Sequence, residues 1–307
     1  RDKLGRKMSK SLGNSPDPIE LIEKYGADGV RMGMLLASPA GNDLPFDESY
    51  CEQGRNFSNK IWNALRLLKS QKVEDIPQSE TSRLATEWFH AKINSTLILL
   101  EDDFSKYRLS EALMRVYKFI WDDFCSWYLE MIKPAYQMPM DKTTYEQALN
   151  IMKCLMKILH QFMRFVTDEI YHLIREKDDF IMLAKMPEAE QCDESLLKEF
   201  EFVQEFVSVI RTIRNEKNIA QKNALEVYYT QSKNASIISK NASIVSKLCN
   251  LQTLSVCEQK VEKAIAKMVG TMEIFVPFAD NINKEVLSHR ISMRDLCGRF
   301  ADVSRCL

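Results

Sequence analysis

The sequence lacks an excess of charge of either sign. Its 42 lysines and arginines and 43 aspartates and glutamates leave a formal net charge of −1 at pH 7. Chains that bind nucleic acid through their overall field are strongly basic, so this balance excludes a global attraction to RNA or DNA. Any contact with RNA must come from local basic faces of helices or loops.

The sequence also lacks long apolar runs, paired cysteines and clustered histidines. No apolar stretch is long enough to span a membrane. The eight cysteines are scattered without a Cys-x-x-Cys pair, which argues against a zinc ribbon or a disulfide framework and favours a reducing, cytoplasmic location. The four histidines have no metal-ligand spacing, so we expect no structural metal. His160 lies in a strongly apolar helical stretch, where a hydrogen-bonded core histidine is expected.

A short basic segment stands near the start of the chain: Lys7-Met8-Ser9-Lys10-Ser11, followed by Leu12-Gly13-Asn14. A loop of this composition places two ammonium groups and two hydroxyls around a small anion. Lysine is a mobile point charge, which suits a phosphate whose charge is migrating. On composition alone, the alternative is a solvated basic tail.

This pentapeptide is the signature loop of the class I aminoacyl-tRNA synthetases, and the following residues extend the resemblance. Residues 7–48 are similar to the segment that follows this loop in the enzymes for valine, isoleucine and leucine. Residues 54–68, GRNFSNKIWNALRLL, resemble the valyl-tRNA synthetases in particular. Further similar segments lie at 117–134, 159–174 and 210–219, so the resemblance extends to about residue 285.

The resemblance implies that the chain is the carboxy-terminal part of a valyl-tRNA synthetase. Such an enzyme uses ATP and Mg²⁺ to activate valine and transfers it to valine-specific tRNA. We expect this fragment to be monomeric, to bind tRNA and to be inactive alone. Ala37-Ser38-Pro39 and Asn42-Asp43-Leu44 also resemble the leucine enzymes, so a leucine or isoleucine ligase stays open. A helical interaction module with no RNA role is the alternative from another class.

Roles for the loop residues also follow from the resemblance. It implies that Lys7 and Lys10 stabilise charge on the β- and γ-phosphates as pyrophosphate departs, with Lys10 in direct contact with ATP. Ser9 and Ser11 would add neutral hydrogen-bond donors to the same phosphates.

Two ridges of basic side chains are the candidates for tRNA contact. The first ridge recurs at i, i+4, i+7, i+11 and i+14 and comprises Arg55, Asn59, Trp62, Arg66 and Lys69. The second ridge comprises Arg211 and Arg214, with Lys217 as a further candidate. Arginine stacks on unpaired bases or grips phosphates, and the resemblance implies reading chiefly near the anticodon. The alternative is a solvated face with intramolecular ion pairs.

Periodicity predicts a mainly α chain: a helical-bundle anticodon-binding domain with a small C-terminal α/β subdomain. Helices are predicted at 18–26, 27–37, 47–72, 82–102, 109–132, 141–176 and 193–217. Thr167-Asp168-Glu169 is a restart signal that would divide the sixth into two helices. Strands are predicted at 225–230, 251–256, 264–269 and 272–278. A tandem heptad over Ser232–Val245, SKNASII then SKNASIV, predicts one amphipathic helix on the sheet.

Aromatic residues crowd one of these predicted helices. They are Tyr117, Phe119, Trp121, Phe124, Trp127 and Tyr128. Because their spacing is helical and Asp122 and Asp123 would repel phosphates, we favour a bundle core over a base-stacking platform.

Four segments are expected along the chain. Residues 1–46 are the signature loop and stem-contact region of the catalytic domain, and residues 47–220 are the α-helical anticodon-binding bundle. Residues 221–283 are the small α/β subdomain. Residues 284–307 are an atypical segment, a remnant of the coiled-coil arm of the family, which we interpret as a truncated or frame-shifted end.

Overall fold

The structure, a computed structural model, describes residues 1–2, 4–39, 45–177, 179–258, 261 and 264–277, and of Lys10 only the backbone. These residues form two compact units, which divide between Lys198 and Glu199. The predicted segment 284–307 lies outside the described residues.

The first unit is built of helices. They are α1 (Pro18–Leu36), α2 (Glu48–Lys69), α3 (Glu80–Ser105), α4 (Leu109–Lys118), α5 (Leu129–Ile132), α6 (Lys142–Leu159) and α7 (Arg164–Ile174). A π-helical segment, Phe119–Tyr128, joins α4 to α5. Short 3-10 turns cover Lys10–Leu12 and Ile181–Leu183, and two-residue strands β1 (Val73–Glu74) and β2 (Met140–Asp141) pair in parallel. The helix α8 (Glu194–Glu216) crosses the division between the units.

Polar side chains fix where these helices begin. Asp17 accepts a hydrogen bond from the Ile19 amide at 2.8 Å, and Pro18 occupies the first turn of α1. Asp47 caps α2 in the same way, with the Ser49 amide at 2.9 Å. These caps lie at the starts of two predicted helices, because a short polar side chain before an apolar stripe satisfies the first free amides of a helix.

Glycine divides α1 as predicted. Gly26 has φ 75° and ψ 156°, outside the helical region, so the helix is broken there and resumes at once. Glycine adopts this positive φ without the Cβ clash that other residues meet.

Helices α1 and α2 approach very closely. A Cβ atom added to Gly54 of α2 would lie 2.9 Å from both the Cα and the carbonyl oxygen of Gly29 on α1. A Cβ added to Gly33 would lie 2.6 Å from Cys51 Sγ. The absence of a side chain at Gly33 and Gly54 therefore allows the close approach of α1, which follows the signature loop, and α2, which carries the first ridge.

The aromatic cluster forms the core of the bundle, as predicted. Phe119, Phe124 and Tyr128 are all buried. Phe89 of α3 stacks on Phe119 with ring centroids 5.2 Å apart and lies 4.8 Å from Tyr128. Tyr117, Trp121 and Trp127 are half-buried. These rings hold the π-helical segment against α3 by apolar burial.

The long stretch 141–176 is two helices, but the second begins before Thr167. Asp28 of α1 explains the earlier start, because its carboxylate accepts hydrogen bonds from the amides of Phe165 and Val166 at 3.3 and 2.6 Å. Thr167 is buried, and its hydroxyl oxygen Oγ1 lies 2.7 Å from His160 Nδ1. His160 is therefore a hydrogen-bonded core residue, as predicted.

The second unit contains a small mixed sheet. Its elements after α8 are β3 (Leu225–Thr230), α9 (Ala235–Lys240), α10 (Ala242–Cys249), β4 (Leu251–Cys257), β5 (Ala264–Val269) and β6 (Met272–Pro277). The strand order is β4-β3-β6-β5, with β3 and β4 parallel and the other pairs antiparallel. Phe206 of α8 packs edge-on against Tyr229 of β3, with ring centroids 6.0 Å apart. The mainly α prediction with a small C-terminal α/β part is confirmed.

The tandem heptad is not one helix, which corrects the prediction. The chain breaks between α9 and α10 at Asn241, which has φ −102° and ψ 19°. Its buried side chain donates to the carbonyl of Ile237 at 3.0 Å. Asparagine offers the backbone such local alternatives to helix continuation, and heptad spacing alone does not reveal them.

No helix in the described ranges is both long and apolar enough to cross a membrane. Within the same ranges, no group of three or more His, Cys, Asp or Glu side chains is placed to hold a metal ion.

Candidate functional site

The signature loop folds around the backbone of Ser9. The Ser9 amide donates to Asn14 Oδ1 at 2.9 Å, and the Ser9 hydroxyl accepts from the Leu12 amide at 3.3 Å. The hydroxyls of Ser9 and Ser11 lie 3.1 Å apart. Gly13 closes the turn with φ +63°. The two serines are therefore together on one side of a tight turn, as a shared anion contact requires.

Asp2 and Asn14 tie the two ends of this loop together. Asn14 Nδ2 donates to Asp2 Oδ2 at 2.9 Å and to the carbonyl of Lys7 at 3.3 Å. Asp2 also accepts from the backbone and side chain of Arg6, both at 2.8 Å. The hydrogen bond from Asn14 and the contacts of Arg6 hold the pKa of Asp2 well below its usual range. The carboxylate is thus ionised throughout the neutral range.

Lys7 is exposed and has no carboxylate partner among the described side chains. An exposed ammonium group without a carboxylate partner can approach a phosphate without first breaking an ion pair. The side chain of Lys10 lies outside the described residues, so its predicted contact with ATP stays a prediction.

All five members of the first ridge lie on α2. Asn59, Arg66 and Lys69 are exposed, whereas Arg55 and Trp62 are half-buried. Arg55 pairs with Glu52 at 3.0 Å and lies 5.6 Å from the centre of the Tyr25 ring. Lys69 Nζ donates to the carbonyl of Leu173 at 3.0 Å. The five residues therefore lie on one helix, although the guanidinium of Arg55 contacts Glu52 and Tyr25 within the protein.

The segment that carries this ridge contains a long stretch without acidic residues. Residues 53–73 contain five lysines and arginines and no aspartate or glutamate. The acids that stand on either side of this stretch each form an ion pair. Glu52 pairs with Arg55 at 3.0 Å, and Glu74 pairs with Lys72 at 2.6 Å. The result is a local positive surface on a chain whose net charge is −1.

The second ridge does not form as predicted. Arg211 is half-buried, but Arg214 is only 2% exposed. The Arg214 guanidinium donates to the carbonyls of Ala220, Cys249 and Asn250 at 3.1, 2.6 and 3.2 Å. Burial also lowers its pKa. Arg214 therefore joins parts of the second unit and is corrected from a surface residue to an internal one.

Two further asparagines on the exposed face of α2 are not among the predicted site residues. Asn56 and Asn63 are exposed and stand one turn before and after Asn59. The signal was present in the sequence, because asparagines at 56, 59 and 63 follow the helical spacing of one face.

Comparisons with known proteins match two parts of the chain. Residues 1–47 match the family described as "tRNA synthetases class I (I, L, M and V)". Residues 86–229 match the "Anticodon-binding domain of tRNA ligase".

Several curated relatives are similar over most of the chain. A valine–tRNA ligase of Phocaeicola vulgatus is 54% identical over 287 residues, which are 93% of this chain and 32% of that protein. One of Parabacteroides distasonis is 52% identical over 288 residues, which are again 93% of this chain and 32% of that protein. One of Fusobacterium nucleatum is 34% identical over 310 residues, and the match covers 95% of this chain and 35% of that protein. The chain thus spans about a third of the length of these relatives.

A solved structure is more distantly similar. It is the ternary complex of Agrobacterium radiobacter K84 AgnB2 LeuRS with tRNA and LeuAMS, with a TM-score of 0.45 and 17% identity over 75% of this chain and 24% of that one. The assignment therefore rests on the sequence matches. On these matches, the chain belongs to the valine–tRNA ligase family of class I aminoacyl-tRNA synthetases.

Proposed function

We propose that the chain is the tRNA-binding part of a valine–tRNA ligase, an enzyme that activates valine with ATP and transfers it to its tRNA in the cytoplasm. The observation that carries this proposal is the 54% identity to a valine–tRNA ligase over 93% of the chain. The matched synthetase and anticodon-binding regions support both halves of the assignment. The segments 1–46, 47–220 and 221–283 would be the signature-loop region, the helical tRNA-binding bundle and the small α/β subdomain of a monomer.

The signature loop would act on the leaving pyrophosphate. In the activation step the valine carboxylate attacks the α-phosphate of ATP, and negative charge accumulates on the β- and γ-phosphates. Lys7 and Lys10 would neutralise this charge, while Ser9 and Ser11 donate hydrogen bonds. The exposure of Lys7, which has no carboxylate partner among the described side chains, supports this role, as does the 3.1 Å distance between the hydroxyls of Ser9 and Ser11. Mg²⁺ would enter with the ATP phosphates, and we assign it no ligand on this chain.

The first ridge would hold tRNA. Its support is the acid-free run of residues 53–73, since an RNA backbone is repelled by carboxylates and attracted by unpaired cations. Arg66 and Lys69 would contact phosphates, and Arg55, Asn59 and Trp62 would complete the surface. Arg211 would add a contact from the second unit.

The test is the affinity of the purified chain for valine, leucine and isoleucine tRNA transcripts across a salt series. We expect the valine transcript to bind most tightly and its advantage to persist at physiological salt. Binding that is equal for all three and vanishes by physiological salt would reduce the interaction to phosphate attraction and contradict the proposal. A preference for the leucine or isoleucine transcript would reassign the amino acid.

A further inference from the structure

A row of uncharged amides runs along the exposed face of α2. Asn56, Asn59 and Asn63 follow one another at helical spacing and lead to Arg66, and all four are exposed. We call the three asparagines the amide stripe. Within the described ranges, the side-chain amides of Asn59 and Asn63 have no hydrogen-bond partner in the protein, and Asn56 has only a long contact of 3.5 Å from Arg55. The stripe therefore offers unused donors and acceptors.

The charges around the amide stripe favour a polyanionic partner. The stripe lies within residues 53–73, which contain five cations and no acid, although Arg55 and Lys72 pair with the acids just outside this stretch. Arg66 has no carboxylate partner among the described residues, and the amine of Lys69 bonds a carbonyl oxygen rather than an acid. A phosphate backbone beside the stripe would meet positive charge along its length.

The chemistry of the stripe fits double-stranded rather than unpaired RNA. Proteins read unpaired bases by stacking them on aromatic rings, and no member of the stripe is aromatic. Trp62, the one aromatic member of the first ridge, is half-buried. The minor groove of an A-form stem instead displays 2′-hydroxyls, which both donate and accept hydrogen bonds. An amide side chain does the same.

Helix length agrees with this mode of contact. The 22 residues of α2 extend over about 33 Å, long enough to lie along a stem. The wide, shallow minor groove of A-form RNA admits such a surface, while its deep major groove does not.

We propose that the amide stripe binds the 2′-hydroxyls of a double-stranded segment of tRNA, with Arg66 and Lys69 on the adjacent phosphates. This proposal rests on the proposed function, because it takes tRNA as the partner. It adds that Asn59 and Asn63 make the surface specific for RNA over DNA, which positive charge alone cannot do.

The test compares the full chain with the double variant Asn59→Ala/Asn63→Ala. The ligands are a valine tRNA transcript, an RNA duplex that copies one of its stems, and the DNA duplex of the same sequence. We expect about tenfold weaker binding of the tRNA and the RNA duplex, with DNA binding unchanged. The slope of affinity against salt should stay the same, because no charge is removed.

Asn150→Ala is the matched control. Asn150 is an exposed asparagine on α6, a helix that carries no member of the stripe, so its replacement should leave all three affinities unchanged. All of these asparagines are exposed on helices, where alanine is well tolerated, so weaker binding would not reflect unfolding.

The outcomes separate this proposal from the function it rests on. If the wild-type chain binds valine tRNA and the double variant binds equally well, the amide stripe is not the contact, while the proposed function stands. Equal affinity of the wild-type chain for the RNA and DNA duplexes would likewise overturn the stripe proposal alone. Absence of any tRNA binding by the wild-type chain would overturn both.

Discussion

Two arginines show how burial decides the role of a residue. Arg66 and Arg214 both occupy helices and both look like RNA contacts in the sequence. Arg66 is exposed, whereas Arg214 is 2% exposed and donates to three backbone carbonyls. Its Nε–H is buried without an acceptor among the described residues. A buried guanidinium in this position holds the end of α8 to the segment that enters β4.

Replacing Arg214 by alanine should destabilise the protein by about 3 kcal/mol, because buried carbonyls lose their donors. Urea-induced unfolding measures this difference. Arg66→Ala is the control and should change the unfolding free energy by less than about 0.5 kcal/mol, as expected for an exposed position. If Arg214→Ala left stability unchanged and weakened tRNA binding instead, the internal role would be wrong.

Residue chemistry could be predicted from the sequence, but residue exposure could not. The loop from Lys7 to Ser11 and the basic character of α2 are evident from residue types and spacing. The burial of Arg214 depends on Cys249 and Asn250, which are 35 and 36 residues away in the chain. A one-dimensional pattern contains no information about such contacts.

At the scale of elements, the sequence predicted most of the helices and all four strands of the sheet. Capping residues such as Asp17, Asp47 and Asp193 act within a few residues of their own position, so local sequence is enough to find them. Features set by packing were missed. The π-helical segment depends on rings from α3, and the start of α7 depends on Asp28 of α1.

The contact between α1 and α2 gives a prediction about Gly54. A methyl group at this position would lie 2.9 Å from Gly29 Cα and 3.0 Å from Met32 Cβ. We expect Gly54→Ala to destabilise the first unit by about 1–3 kcal/mol, since the two helices must separate. Helix propensity alone would give the opposite sign, a gain of about 0.5–1 kcal/mol.

Thermal unfolding of Gly54→Ala beside Asn63→Ala distinguishes these two effects. Asn63 is exposed on the same helix, so alanine should be neutral or slightly stabilising there. A Gly54→Ala variant as stable as Asn63→Ala would mean that the close approach of α1 and α2 is not required.

The π-helical segment gives a prediction about pH. Asp123 lines a cavity of about 640 Å³, and burial raises its pKa to about 6, although Lys92 lies 3.6 Å away. The folded protein therefore binds this proton more tightly than the unfolded chain, whose aspartates titrate near 4. The contribution of Asp123 to stability should fall as pH rises from about 4 to 6 and stay constant above that range.

Asp123→Asn removes this ionisation and should raise stability at pH 7.5 by about 1–2 kcal/mol, with a smaller difference at pH 4.5. Urea unfolding of the variant and the wild type at both pH values measures the two differences. Asp122→Asn, an exposed neighbour, is the control and should show little change. A variant less stable than wild type at pH 7.5 would show that the Lys92 pair outweighs the burial of the carboxylate.

At the scale of the whole molecule, a net charge of −1 coexists with an acid-free stretch, residues 53–73, most of which lies in α2. Long-range attraction to RNA is weak in such a chain, so affinity should depend on a few close phosphate contacts. The salt dependence of binding counts those contacts, because each neutralised phosphate releases a counterion.

The double variant Arg66→Ala/Lys69→Ala should therefore change the salt dependence of tRNA binding. We expect weaker binding at low salt and a slope of log affinity against log salt reduced by about 1–2, one phosphate for each lost cation. Filter binding or fluorescence anisotropy across the salt series measures the slope. Lys142→Ala/Lys153→Ala removes two charges from α6 and is the control for net charge. If both double variants reduced the slope equally, the attraction would be a property of total charge; a reduction confined to the α2 variant assigns the contacts to that helix.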